Sequence, residues 1–217
     1  MRRLLGSDFG RTHRPEHEKH PDLEIAEEYA FTQRRAKDVL AGWEVFGSQI
    51  QHIEKRLNFE IRTFLRGTIA RAKGRRVVKV LDLGCGNGTA LSELKSQFGA
   101  KIKTAGQVIE RTPSEKYRGV DRLIEGELKN MKPREAFDLI FSHIGTTEQS
   151  HLSRTAVEQV IKWLRPGGCA VFELPRGLRS DVKTDVLTTL RQNGIKNITW
   201  HKGGALNFYK PKPKLPA

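Results

Sequence analysis

A carboxylate followed by glycines at every second position, Asp82, Gly84, Gly86 and Gly88, is the part of this 217-residue chain best suited to chemistry. Glycines let the backbone bend sharply and bring peptide groups against a ligand with no side chain between them. Cys85 and Asn87 occupy the intervening positions. Spacing narrows the choice of ligand. A dinucleotide fingerprint needs glycine at its first, third and sixth positions, and the sixth position counted from Gly84 is Thr89. A pyrophosphate would also meet repulsion from Asp82 at the mouth of the turn. No Walker lysine follows the glycines. A carboxylate at this place suits a ligand that presents a cation.

The elements around the turn must hold it in position. Val77, Val78, Val80, Leu81 and Leu83 are too uniformly apolar to alternate, as in a strand covered on both faces of a parallel sheet. Thr89 to Gln97 carries helical spacing through Leu91 and Leu94, so the unit reads strand, glycine turn, helix. Ligands of open α/β sheets sit at such carboxyl ends of strands. Downstream, strands are expected over Lys101–Ile109, Asp121–Ile124 and Ala136–Ser142. A helix through Ala156, Val160, Ile161 and Leu164 is expected to stop at the turn Arg165, Pro166, Gly167, Gly168. CAVFEL, beginning at Cys169, reads as a fifth strand. A helix over Val182–Gln192 and strands over Ile195–His201 and Ala205–Tyr209 close the chain. Upstream, Trp43, Phe46, Ile50, Ile53, Leu57, Ile61, Phe64 and Leu65 make one apolar stripe on a long helix ending near Gly74.

The pattern D-x-G-x-G-x-G at Asp82, Gly84, Gly86 and Gly88 resembles motif I of the class I S-adenosylmethionine-dependent methyltransferases. Its span, from about Val77 to Lys210, includes the family's closing order of helix, strand, glycine turn and strand. The resemblance implies an α/β fold, a doubly wound and mostly parallel seven-stranded sheet with an antiparallel last strand. It also implies S-adenosylmethionine as cofactor, lying against the glycine turn with its amino-acid end held by Asp82. An acid after the second strand would accept hydrogen bonds from the ribose, and Glu110 is the candidate. The family's usual spacing places that acid earlier, at Gly106 to Val108, so either the strand is longer or Gln107 or no side chain serves the ribose. After the third strand, Glu127 and Leu128 would border the adenine. After the fourth, Ser142 would border the cofactor, with His143 and Glu148 facing the methyl acceptor as base or orienting groups.

Two subclasses lose support. The run after Ser142 holds no proline, unlike enzymes that methylate exocyclic amino groups of bases. Neither Cys85, in the turn, nor Cys169, in a strand, stands in a loop as the nucleophile for C5 of cytosine. Methyl transfer from a sulfonium draws much of its acceleration from alignment, so few catalytic side chains are required.

Organisation follows from these segments: a basic arm over 1–20, a helical extension over 21–74, the Rossmann-like domain over 75–210 and a Lys/Pro tail over 211–217. His13, His17 and His20 are interleaved with Arg11, Arg14 and Lys19, which reads as a solvated arm and no metal site. The two cysteines suggest no disulfide framework, and a cytoplasmic location is expected. With 39 Lys and Arg against 25 Asp and Glu, the formal charge is +14. A field of that sign draws polyanions, so RNA or a ribonucleoprotein is the expected partner, ribosomal RNA in particular. The charge concentrates in two acid-free runs, 62–79 (Arg62, Arg66, Arg71, Lys73, Arg75, Arg76 and Lys79) and 196–214. Alternatives are a small-molecule or protein acceptor, and a methyltransferase-like RNA-binding or ribosome assembly factor without turnover.

Overall fold

The structure is a computed structural model and describes residues 48–108, 117, 119–126, 128–132, 135–143, 154–173, 180–201 and 204–213. The expectations placed on the arm, on Trp43 and Phe46, on Glu110, Glu127 and Glu148, and on the end of the tail lie outside these residues.

The apolar stripe before the glycine turn is borne by two helices, α1 (Ile50–Leu57) and α2 (Ile61–Ala72), instead of the one long helix expected. Asn58 ends α1 in the left-handed conformation, φ 47°, which Asn tolerates better than most residues. Glu54 then stabilises the second start, its carboxylate accepting from the Arg62 amide at 2.7 Å and from the Arg62 guanidinium at 2.5 and 2.9 Å. The stripe survives the break: Ile50, Ile53 and Leu57 continue as Ile61, Leu65 and Ala72, all buried. At the end of α2, Lys73 also adopts a left-handed conformation, φ 48°. Lys73→Gly is expected to stabilise the protein by up to about 1 kcal/mol in urea titrations.

The sheet comprises β1 (Val78–Leu83), β2 (Ile102–Val108), β3 (Arg122–Glu125), β4 (Phe137–Ser142), β5 (Leu164–Glu173), β6 (Asn197–Trp200) and β7 (Ala205–Tyr209). Their order is β3-β2-β1-β4-β5-β7-β6, with β7 antiparallel to both neighbours, the doubly wound arrangement that the resemblance implies. Between them run α3 (Thr89–Phe98), α4 (Arg154–Trp163) and α5 (Ser180–Gln192). One difference lies at the turn expected over Arg165–Gly168, which is absorbed into β5. Leu164 pairs with Phe137 and Cys169 with Leu139, so the intervening residues form an irregularity in the ladder.

Alternation along the strands divides the core in two. Leu81, Leu83, Ile140, Ala170 and Phe172 face α4 and α5 through Val157, Val160, Val186 and Leu190. Val78, Val80, Leu139, Phe141 and Val171 face the other layer, through Ile53, Leu57, Leu65, Leu91 and Leu94 of α1, α2 and α3. The residues that continue this second face at the carboxyl ends of β1, β4 and β5 are Asp82, His143 and Glu173. Among the described residues no helix is long and apolar enough to cross a membrane.

Candidate active site

Asp82 is the penultimate residue of β1 and 4% exposed. Burial pushes its carboxyl up to about 8, and among the described residues no cation pairs with it. Such a group requires either a proton or a cation brought by a ligand. The turn beside it follows the glycine spacing, with φ of 77°, 53° and 80° at Gly84, Gly86 and Gly88. Asn87 closes the turn onto α3, its Oδ1 accepting from the Thr89 amide at 3.1 Å and hydroxyl at 2.6 Å. Cys85 is buried, its thiol held well above the ordinary range by desolvation and then by Asp82, so it is no nucleophile.

Gln107 fixes the turn from β2. Its carbonyl oxygen accepts from the Gly84 amide at 2.9 Å, and its NH2 group donates to the Gly126 carbonyl at 2.7 Å. The main-chain oxygen of the same residue accepts from Gly84 and Cys85 at 3.1 and 3.0 Å. One buried side chain therefore ties the ends of β1, β2 and β3 together. Gly106 permits the fit: a Cβ there would stand 2.5 Å from Cys85 Sγ. β2 is described as far as Val108, and Glu110 lies beyond the described residues.

Ser142 is fully buried, and its hydroxyl donates to the Leu83 carbonyl at 2.8 Å, joining the ends of β4 and β1. Leu128 packs with Met131 in the core on the α4 side. His143, one residue beyond β4, hydrogen-bonds through Nδ1 to Glu173 at the end of β5. The other oxygen of Glu173 forms an ion pair with Arg56, reaching in from α1. His52, also on α1, lies edge-on to the His143 ring at 5.4 Å. Desolvation lowers the His143 pKa, and the charge and hydrogen bond of Glu173 pull against it. Glu173 and Arg56 are not singled out by sequence. The signal for Glu173 is parity: it continues the Cys169, Val171 face of an otherwise apolar strand. Arg56 carries no such signal, because its role depends on how α1 crosses the sheet.

Residues 81–172 match the family model described as a methyltransferase domain. A Listeria monocytogenes protein described as a putative class I S-adenosylmethionine-dependent methyltransferase superposes with a TM-score of 0.50 at 15% identity, covering 72% of this chain and 60% of that one. The fold is that of the class I methyltransferases, and the matched segment runs from β1 through β5. Other similar structures are DesVI of Streptomyces venezuelae (TM-score 0.48, 15% identity, 69% of this chain and 91% of that one) and the sugar N-methyltransferase KedS8 of Streptoalloteichus (0.47, 13%, 77% and 94%). No curated protein sequence matches.

S-adenosylmethionine is the methyl donor that a methyltransferase domain implies, and the site fits it: its ammonium group would meet Asp82, which has no cation of its own among the described residues. The glycine turn would lie against the cofactor without intervening side chains.

Proposed function

We propose that this methyltransferase modifies RNA, ribosomal RNA in particular, within the cytoplasm. The observation that carries this reading is a set of exposed cations at the edge of the sheet opposite the cofactor. Part of the basic run is internally neutralised: Arg62 pairs with Glu54, Arg76 with Asp138 at 2.6 Å, and Lys79 with Glu135. Lys210 is likewise committed, its Nζ donating to the carbonyls of Ile161 and Leu164 at the end of α4. Arg71, Lys73, Arg75 and Lys101 are exposed and form no ion pair among the described residues. All four cluster where α2 leads into β1 and where β2 begins, since Val78 pairs with Ile102.

Cations without acids are suited to phosphates, which fix the position of a nucleic acid without reading it. Six residues of β1 separate this edge from the glycine turn, a span of ~20 Å. A substrate touching both must be large and folded. A small-molecule acceptor would leave these cations without work. Replacing Arg71, Lys73, Arg75 and Lys101 together by Gln is expected to weaken binding of a fluorescent RNA hairpin at least 10-fold in anisotropy titrations. The log–log salt slope should shrink by about 3, with affinity for S-adenosylmethionine unchanged. Equal RNA affinity and slope in the two proteins would count against RNA and favour the small acceptor.

A further inference from the structure

We propose that His143 Nε2 accepts the proton of the methyl acceptor, with Glu173 positioning the ring and Arg56 positioning Glu173, and that the acceptor atom is a hydroxyl oxygen. The choice of the ribose 2′-hydroxyl as that group rests on the RNA reading above, whereas the role of His143 does not.

The side chain is 4% exposed, yet its Nε2 has no hydrogen-bond partner among the described residues. A buried polar atom left unpaired is costly, and packing alone gives no reason to retain it. The hydrogen bond from Nδ1 to Glu173 assigns the proton to Nδ1 and leaves the lone pair on Nε2. Glu173 in turn is held by Arg56, so the carboxylate has one oxygen for the guanidinium and one for the imidazole. Among the described residues, the charged and titratable groups facing His143 are Glu173 from β5 and His52 and Arg56 from α1. Desolvation keeps the ring neutral and ready to accept. The location is also right. Phe141 pairs with Asp82, and His143 lies two residues further along the same face, at the level of the glycine turn.

A base of this kind is needed for some acceptors and not others. A neutral amine attacks with its own lone pair and sheds a proton to water afterwards. A hydroxyl is a poor nucleophile until its proton is being removed. In the proposed step the acceptor oxygen forms its bond to the methyl carbon while its proton passes to Nε2. The carbon–sulfur bond breaks with its electron pair going to sulfur, which becomes a neutral thioether. The positive charge thus moves from sulfur to the imidazolium, where Glu173 offsets it.

Two measurements test this on the full chain. Long-range 1H–15N spectra of histidine-labelled protein should show His143 protonated at Nδ1 alone at neutral pH, and Glu173→Gln should mix the tautomers and lower its pKa further. Tritiated S-adenosylmethionine with total cellular RNA should place label in dinucleotides that resist alkaline hydrolysis, and Glu173→Gln should lower kcat at least 10-fold with KM for the cofactor within 2-fold. Unchanged cofactor binding by Glu173→Gln in calorimetry verifies that the variant is folded. Label recovered in mononucleotides would mean base methylation and overturn the proposal, as would His143 protonated at Nε2. If no label enters RNA, the RNA reading fails and the tautomer measurement alone decides the role of His143.

Discussion

Asp82→Asn is expected to make the unliganded protein more stable while weakening cofactor binding at least 100-fold. Burial raises the Asp82 carboxyl to about 8, against about 3.9 in an unfolded chain. Between those values the folded protein holds a proton that the unfolded chain releases, so stability falls as pH rises. The favourable contribution is complete below about pH 4 and is lost by about pH 8. At neutral pH the group therefore costs ~4 kcal/mol, which an uncharged amide avoids. The ammonium end of the cofactor reverses the balance by supplying the missing charge, and Asn cannot answer it. Loss of one partner of a buried ion pair is worth ~3 kcal/mol or more, or about 100-fold in affinity. Thermal melts at pH 5 and pH 8 should show the stabilisation growing with pH, and calorimetry with S-adenosylmethionine should show the lost affinity. Parallel melts at both pH values, or binding within a few-fold of the original, would remove the basis for this assignment. In the unmodified protein the same linkage makes cofactor affinity increase from pH 6 to pH 8, with proton release on binding.

The second large effect is expected at Gln107. Its amide is 1% exposed and spans Gly84 and Gly126. Gln107→Leu keeps the volume and removes both contacts. The Gly84 amide retains the main-chain oxygen of residue 107, whereas the Gly126 carbonyl loses its side-chain donor. The cost is about 2–3 kcal/mol, or about 5–10 °C in Tm for a domain of this size. Cofactor affinity should fall at least 10-fold, because the turn loses one of the bonds that aim it. Gln107→Glu makes a sharper test. Ionised, it sets a carboxylate against the Gly126 carbonyl; protonated, it can donate to that oxygen. Its buried carboxyl will have a raised pKa, so the variant should approach the original stability near pH 5 and lose it as pH rises. Denaturant titrations at the two pH values measure this directly, and a pH-independent deficit would show that the bond to Gly126 is unimportant.

The glycine turn and the strands around it were legible because their constraints are local. Asp82, Gly84, Gly86 and Gly88 need only their own backbone angles and the apolar run before them. The strands themselves could be placed from their apolar runs, since a parallel sheet with covered faces leaves long apolar stretches, whereas the mostly parallel sheet with its antiparallel last strand came from the resemblance. What escaped sequence reading depends on contacts between distant segments. Nothing near Asn58 announces that the stripe through Leu57 and Ile61 must bend, because the periodicity is preserved across the break. The pairing of His143 with Glu173 needs the register of β4 on β5, which the irregularity after Leu164 shifts. The basic run was visible as charge, but its partial cancellation was not. Glu54 precedes that run, and Glu135 and Asp138 lie far along the chain from it.

The outermost strands, β3 and β6, are four residues long. An exposed strand edge is a template on which a second chain can add itself, and short edges limit that addition. Arg122 on one rim and Lys196 beside the other add like charges that two approaching copies would have to bring together. A chain of net charge +14 is thereby given little backbone through which its copies could zip into an extended sheet.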